Sequence, residues 1–442
     1  MEKNTHTRYW VLFVICLLYF ITYVDRVNIS VAAPLISKDF HLTKMQLGVV
    51  FATFSWSYFM FQIPTGILGD KFGPRKVLAG IVVLWSIVDI ITGLSWSFVS
   101  LIVLRFLFGM AEAGAFPNAT RAFSHWIPAT ERGFAQGLSH GFSRLGGAVT
   151  PLLVVVIVAY FHSWRPVFFM TAGVALTWAL FWFVWYRNKP TEYRDRWGGI
   201  SQTEIDIIEQ GRSRKQSAKL AVGKLLKSKN MWLLCLGYFC YNYTLWIFLT
   251  WLPTYLVTAR GFTIVKMGIF ASMPLFAGTV GDTFGGWLSD RIWVRTKNGK
   301  LARRSVAMGG FIIAAACMIP GAMTHSQYLS VFFLACALFG LEMSVGVFWA
   351  TTLDIGHEYA GTVSGTMNCV GNMGSMVTPL VFGFIVQRTG SWMYPFLVAS
   401  GVLVVGIVLW AWINPELSVA EELHLNDTAV TPEEQLSLAT HA

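Results

Sequence analysis

Apolar runs long enough to cross a lipid bilayer recur twelve times along the chain, at 10–33, 45–68, 77–96, 98–123, 133–161, 166–185, 231–257, 265–288, 306–324, 328–352, 362–386 and 393–413. About 20 apolar residues in a helix span the hydrocarbon layer, and only helices or closed barrels satisfy their own backbone there. The pattern predicts an all-α integral membrane fold with twelve transmembrane helices. One polar stretch breaks the rhythm after the sixth run. It divides the chain into a six-helix half at 1–186, a linker loop at 187–230, a second six-helix half at 231–413 and an acidic tail at 414–442.

The halves repeat. A shift of 228 places 133–173 on 361–401 without a gap, and Gly133, Gly137, Gly146, Thr150, Pro151, Trp164 and Phe168 all meet their own residue type. Earlier, Gly66-x-x-x-Asp70-Lys71 meets Gly286-x-x-x-Asp290-Arg291 at a shift of 220, and Arg75-Lys76 meets Arg303-Arg304 at 228, which leaves an eight-residue insertion after Arg291. Parallel repeats of this kind mark one secondary-transporter architecture, with the cargo near the midplane between the halves.

Composition agrees. Of 442 residues, 55% are hydrophobic and only 13% charged, against roughly 25% in a soluble globule. A net charge of +10 could suggest nucleic acid, but the cations cluster in loops. With both termini and the linker on one side, 24 Lys and Arg fall there and six on the other. That asymmetry predicts cytoplasmic ends. The first run is too long for a signal peptide and carries Asp25-Arg26, so it is expected to be a retained helix. The acidic residues after Pro415, among them Glu416, Glu422, Asp427, Glu433 and Glu434, are expected to be disordered and solvated. The six cysteines lie in apolar runs without metal spacing and are read as small buried hydrophobes. Gly137-Leu-Ser139-His140-Gly141 mimics a nucleophile elbow but lies in a glycine-rich span. Gly133, Gly137 and Gly141 are expected to allow close helix packing there. No enzymatic, metal or cofactor site is expected.

The chemistry lies inside the spans. Arg26, Arg105 and Arg144 sit among apolar neighbours, with Asp25 beside the first and Glu112 seven residues after the second. Ionisable groups in hydrocarbon usually face a bundle interior or watery cavity and serve an ion or substrate path. Tyr23 and Arg26 share a helix face, and the Arg26 fork can hold a carboxylate. Tyr58 and Gln62, four apart, could reach the same cavity or simply pack. Glu112, between Gly109 and Gly114 where neighbours can approach closely, is the first candidate for a titrating group, with Asp25 the second. Either could instead form a permanent ion pair. Arg144 aligns with Asn372 across the repeat. It could face the cavity as a second cation for a two-acid cargo, sharing that surface with His140, or pair with Glu342 or Asp89. Tyr241 and Asn242, like Asn368 and Asn372, could read hydroxyls, and Trp251 fits an interfacial aromatic belt. Asp89 and Asp282 have no assigned role.

The loop Gly66-Ile-Leu-Gly-Asp70-Lys71-Phe-Gly73-Pro-Arg75-Lys76 resembles the signature motif of the major facilitator superfamily, and Asp290-Arg291 belongs to its degenerate copy. Asp70 is expected to attract Arg75 and latch two helix ends as a gating element. Tyr23-Val-Asp25-Arg26-Val-Asn28, Arg105-Phe-x-x-Gly109-x-x-Glu112-Ala-Gly-x-Phe-Pro117, Trp251-Leu-Pro253-Thr-Tyr255 and Asn372 resemble the anion:cation symporter family, which includes galactonate, glucarate and hexuronate permeases and, more distantly, sialin. The resemblance implies proton handling at Asp25 and Glu112, and cargo contacts at Tyr23, Arg26, Tyr58 and Asn372. Arg105, Arg144, Tyr241 and Asn242 join the candidate cargo contacts. The expectation is a proton-coupled importer of an organic carboxylate, most simply a sugar acid. Its partners would be the anion, protons and the lipid bilayer of a bacterial inner membrane, with no nucleic acid, and it would work as a monomer. An organic-phosphate antiporter and a transport-dead anion sensor are the alternatives.

Overall fold

The computed structural model describes residues 5–128, 131–197, 199–210 and 227–423. Among these, 12 helices are long and apolar enough to cross a membrane. Three of the spans are broken. The fourth is Phe98–Glu112 followed by Ala115–Trp126, the seventh Lys229–Thr250 followed by Leu252–Thr258, and the tenth Gln327–Met343 followed by Val345–Gly356. The first helix, Thr7–Asp39, and the eighth, Ile264–Thr296, overrun their apolar cores. Helical hydrogen bonding continues into the polar flanks, whereas hydropathy marks only the lipid-embedded part. Starts are set by local chemistry. Thr43 with Gln46, and Ser97 with Ser100, form reciprocal capping boxes for the second and fourth spans. Gly73, at φ 79°, makes the turn that lets Pro74 open the third.

Lipid gives helices little hydrophobic reason to associate, so small residues and close backbones do that work. A Cβ added to Gly146 in the fifth span would lie 2.4 Å from the Phe20 carbonyl oxygen, and one at Gly374 in the eleventh 2.8 Å from that of Phe239. Those two glycines are repeat partners, 228 apart in sequence. Gly137 and Gly141 do not follow this pattern. Nothing lies within 4 Å of a Cβ there, so the expected close packing at these two positions is corrected: they face open space toward the termini-bearing end.

The halves meet at the other end through a second repeat-related pair. A Cβ on Gly48 would stand 2.5 Å from the Pro379 carbonyl oxygen, and one on Gly268 2.9 Å from that of Pro151. The Met45 amide donates to Gln387 Oε1 across the same seam at 2.8 Å. Trp251 closes it, fully buried, stacked on Phe382 at 4.9 Å and edge-on to Phe51 at 5.7 Å. It is therefore a seam residue and not part of an interfacial belt; its indole is hidden by the opposing half, which hydropathy cannot register.

Among the described residues the linker holds two helices, Pro190–Trp197 and Gln202–Gln210, and the seventh span begins at Lys229, two residues before the expected boundary. Glu204 is fully buried and accepts from Thr5 Oγ1 at 2.5 Å and from the backbone N–H groups of Thr7 and Arg8 at 3.1 and 2.9 Å. The tail's first residues do likewise in the second half. Glu416 accepts from the Gly299 amide at 3.0 Å, and Glu422 from those of Lys229 and Asn230 at 2.9 and 3.3 Å. Exposed N–H groups at a helix start attract carboxylates, so the expected disorder is corrected for this part of the tail, which stays partly solvated. Asp427, Glu433 and Glu434, and 211–226 of the linker, lie outside the described residues.

Candidate functional site

The three intramembrane arginines each find a carboxylate, and each pair joins two different spans. Arg26 Nε donates to Glu112 Oε1 at 2.6 Å, tying the first span to the fourth. Arg105 Nη2 lies 3.3 Å from Asp89 Oδ1, tying the fourth to the third. Arg144 Nη2 lies 3.2 Å from Glu342 Oε2, crossing from the fifth span to the tenth and hence between the halves.

The first pair is the most ligand-like. The Arg26 guanidinium lies over four rings, with its Cζ 4.7 Å from the Tyr58 centroid, 5.0 Å from Phe116, 5.3 Å from Tyr23 and 5.5 Å from Phe54. An aromatic face attracts a cation by about 0.5–1 kcal/mol at an exposed site and by about 2 kcal/mol when desolvated. Arg26 Nη2 and Glu112 Oε2 remain buried without a hydrogen-bond partner among the described residues. Gly109, one turn before Glu112, brings the fourth span close against the second, where a Cβ would fall 2.2 Å from Ser57 Oγ. An unsatisfied donor in a protein interior costs about 1–3 kcal/mol, a cost that an incoming anion can relieve.

Arg105 differs from expectation. It is 1% exposed and paired with Asp89, not with Glu112 two turns along its own helix. The signal lay in the sequence: Asp89 and Arg105 flank a short turn between antiparallel spans and so lie at similar depth. Asp25 is also fully buried, and neither of its oxygens makes a hydrogen bond of normal geometry among the described residues. Its electrostatic neighbours include Asp89, Glu112 and Arg105. Asp25, Asp89 and Glu112 thus share a dry region with Arg26 and Arg105. Three carboxyls against two guanidiniums are electroneutral only with one proton aboard, and uncompensated buried charge is costly.

Arg144 selects Glu342 over Asp89. Its Nη2 also donates to the Tyr241 hydroxyl at 2.8 Å, and that hydroxyl donates to Glu342 Oε2 at 2.9 Å. Tyr23, Arg144, Gly147, Leu245, Leu249, Leu275, Gly278, Leu338 and Glu342 line a central cavity with about 10 Å³ of water-accessible space. A larger cavity of about 470 Å³ lies among Thr5, Trp10, Phe181, Trp185 and Tyr193, away from these ion pairs. Toward the termini-bearing end, His140 of the fifth span meets Trp349 of the tenth, their rings 5.8 Å apart. Asn242 is buried and donates to the Tyr238 carbonyl of its own helix at 3.1 Å. Asn372 is half-buried on the eleventh span.

The signature loop is wired differently from the expected latch. Asp70 pairs with Arg121 at the end of the fourth span, not with Arg75. Arg75 Nε and Nη2 instead donate to the Phe183 carbonyl at 2.9 and 2.8 Å. A carbonyl at the end of the sixth helix offers the Arg75 fork a fixed acceptor. In the copy, Arg303 bridges Asp290 at 3.0 Å and Asp354 at 2.9 Å, while Arg291 lies over the Trp287 ring.

Comparison with known proteins fits this arrangement. The Major Facilitator Superfamily sequence model matches residues 15–379. A protein of Cupriavidus necator named as a probable sulfoacetate transporter is 44% identical over 421 residues, covering 95% of this chain and 96% of that protein. The Bacillus subtilis hexuronate transporter is 31% identical, covering 87% and 89%. An Escherichia coli protein named as a probable galactarate/D-glucarate transporter is 32% identical, covering 88% and 90%. Among solved structures, a bacterial homologue of the human lysosomal transporter Spinster, in an inward-facing and occupied conformation, superposes with a TM-score of 0.74 at 18% identity, covering 92% of this chain and 96% of that one. The twelve-helix fold, the repeat and these relatives lead to one conclusion: the chain belongs to the Major Facilitator Superfamily and is a transporter, not an enzyme.

Proposed function

We propose that the protein imports a small organic acid together with protons across a bacterial inner membrane, working as a monomer with both termini in the cytoplasm. The observation that carries this reading is the Arg26–Glu112 pair, a cation held by an internal carboxylate and still offering one unused donor. The 24-to-six asymmetry of Lys and Arg supports the orientation. The relatives' named cargoes, sulfoacetate, hexuronate and galactarate or D-glucarate, all carry at least one acid group and support the substrate class.

The mechanism follows from charge. With Glu112 ionised, Arg26 is occupied. A proton arriving at Glu112 from the outer side removes the internal counter-ion and leaves the guanidinium, ringed by Tyr23, Tyr58, Phe54 and Phe116, open to an external carboxylate or sulfonate. Asp25 is the second proton carrier, buried beside the same cluster. Once the anion is bound the halves rock, and loss of the proton to the cytoplasm restores the internal pair and expels the cargo. Arg105 stays with Asp89 and sets the field without touching the cargo. Two protons with a monovalent anion bring in net positive charge, so a potential of 100 mV adds about 2.3 kcal/mol per charge.

Uptake by reconstituted protein under an inward proton gradient tests this reading, with sulfoacetate, a hexuronate, galactarate, galactonate and a neutral hexose as cargoes. Proton-dependent accumulation of at least one acid, and none of the hexose, is expected. Gradient-independent exchange alone, or silence with every acid, would overturn it.

A further inference from the structure

Two guanidiniums, not one, flank Tyr23. The Cζ atoms of Arg26 and Arg144 lie 5.3 and 5.9 Å from its ring centroid. Each retains a buried donor with no hydrogen-bond partner among the described residues, Nη2 on Arg26 and Nε on Arg144. Each is also held by a single glutamate, from the fourth span in one case and from the opposing half in the other. The cavity at Arg144 has room for about one water. An acid group therefore reaches Arg144 by taking the place of Glu342, not by joining it.

We propose that Arg144, Tyr241 and Glu342 form a second anion subsite, where Glu342 stands in for the second acid group of a two-headed organic anion whose first acid group binds Arg26. The inference rests on the anion-transport reading above and narrows its cargo to compact diacids or sulfonated acids. When the cargo arrives, Arg144 exchanges Glu342 for the cargo's acid group. Tyr241, whose hydroxyl already donates to Glu342 Oε2, keeps the displaced carboxylate hydrogen-bonded. Asp282, its Oδ1 3.7 Å from a Cβ on Gly346 beside the break in the tenth span, attracts Arg144 and repels Glu342, which weakens the internal pair that the cargo replaces. The exchange also undoes an ion pair between the halves, because Arg144 belongs to the first half and Glu342 to the second. Filling the subsite thereby releases the halves to rock, and a one-acid cargo leaves the tie in place.

The test is competition against transport by matched probes, galactarate against galactonate and sulfoacetate against 2-hydroxyethanesulfonate, which differ only in the second acid group. The wild-type protein is expected to favour each two-acid probe by at least about tenfold, the scale of one buried charge-assisted contact. In Arg144→Gln that ratio collapses toward one. In Arg144→Lys, which keeps the charge and loses the fork, it falls part of the way, and this variant decides the point if the glutamine variant does not fold. Glu342→Gln removes the internal competitor, and two-acid probes should bind it more tightly than wild type. A wild-type ratio near one, an unchanged ratio in the lysine variant, or weaker two-acid binding in Glu342→Gln would each overturn the subsite. A protein that carries one-acid and two-acid probes equally well keeps the transport reading and loses only this inference. A protein inert toward all four probes loses both.

Discussion

Arg26 and Glu112 meet at 2.6 Å, from the first and fourth spans, inside a cage of four aromatic rings. The contact uses one oxygen and one nitrogen and leaves Glu112 Oε2 and Arg26 Nη2 unmatched. Half-used ion pairs of this kind can exchange partners at small cost, which is what a symporter asks of its central charge.

Arg26→Lys keeps a positive charge and loses the planar fork that grips a carboxylate or sulfonate. Apparent affinity for the transported acid should fall by about tenfold or more, with the protein still folded. Measuring binding of a transported acid by competition, alongside thermal stability, separates the two effects.

Asp89 and Arg105 are almost wholly buried, so removing one leaves the other without the counter-ion that hydrogen-bonds it. Asp89→Leu alone should destabilise the detergent-solubilised protein by about 3–5 kcal/mol, whereas the double change with Arg105→Met should recover most of that. A double-mutant cycle on thermal unfolding reads this directly. Equal loss in the single and double variants would show that the pair is not an isolated ionic unit.

The Asp70–Arg121 pair at the termini-bearing end is mostly wet, with side-chain exposures of 67% and 33%. Its loss in Arg121→Ala should cost no more than about 1 kcal/mol of stability. As a tie between two helix ends, it should show instead as a change in transport rate. A large drop in thermal stability with an unchanged rate would refute this.

Gly48 and Gly268 occupy repeat-related places against the Pro379 and Pro151 carbonyls, where an added methyl group would lie 2.5 and 2.9 Å from oxygen. Either Gly→Ala change should disfavour closure at this end by about 1–3 kcal/mol. A cysteine placed at Phe51, now buried in this seam, should then react faster with an impermeant thiol reagent, and an unchanged rate would count against the seam's role.

Much of the fold was legible because lipid imposes a simple rule on sequence. Twelve apolar runs gave the twelve spans, and the 228-residue repeat paired Gly146 with Gly374, which the structure places in matching close contacts. Pairings between spans were less legible. Glu112 shares a helix face with Arg105, yet Arg105 turns to Asp89 on the neighbouring span and Glu112 to Arg26. Arg144 had two possible acids, and only the placement of the second half against the first selects Glu342. Trp251 reads as a belt tryptophan because hydropathy cannot tell lipid from an opposing helix. Asp70 reads as a partner of Arg75 five residues away, but Arg121 comes to it from the adjoining fourth span, and Phe183 holds Arg75. Anchors such as the buried Glu204 and the half-buried Glu422 carry no local signature, since a helix start 190 or more residues away supplies their donors.

The most direct test is to compare wild type with Glu112→Gln in proteoliposomes, measuring exchange of a labelled acid and its accumulation under an inward proton gradient. If Glu112 carries the coupled proton, the variant exchanges the acid across the membrane yet fails to concentrate it. Accumulation to the wild-type level by Glu112→Gln would contradict the assignment.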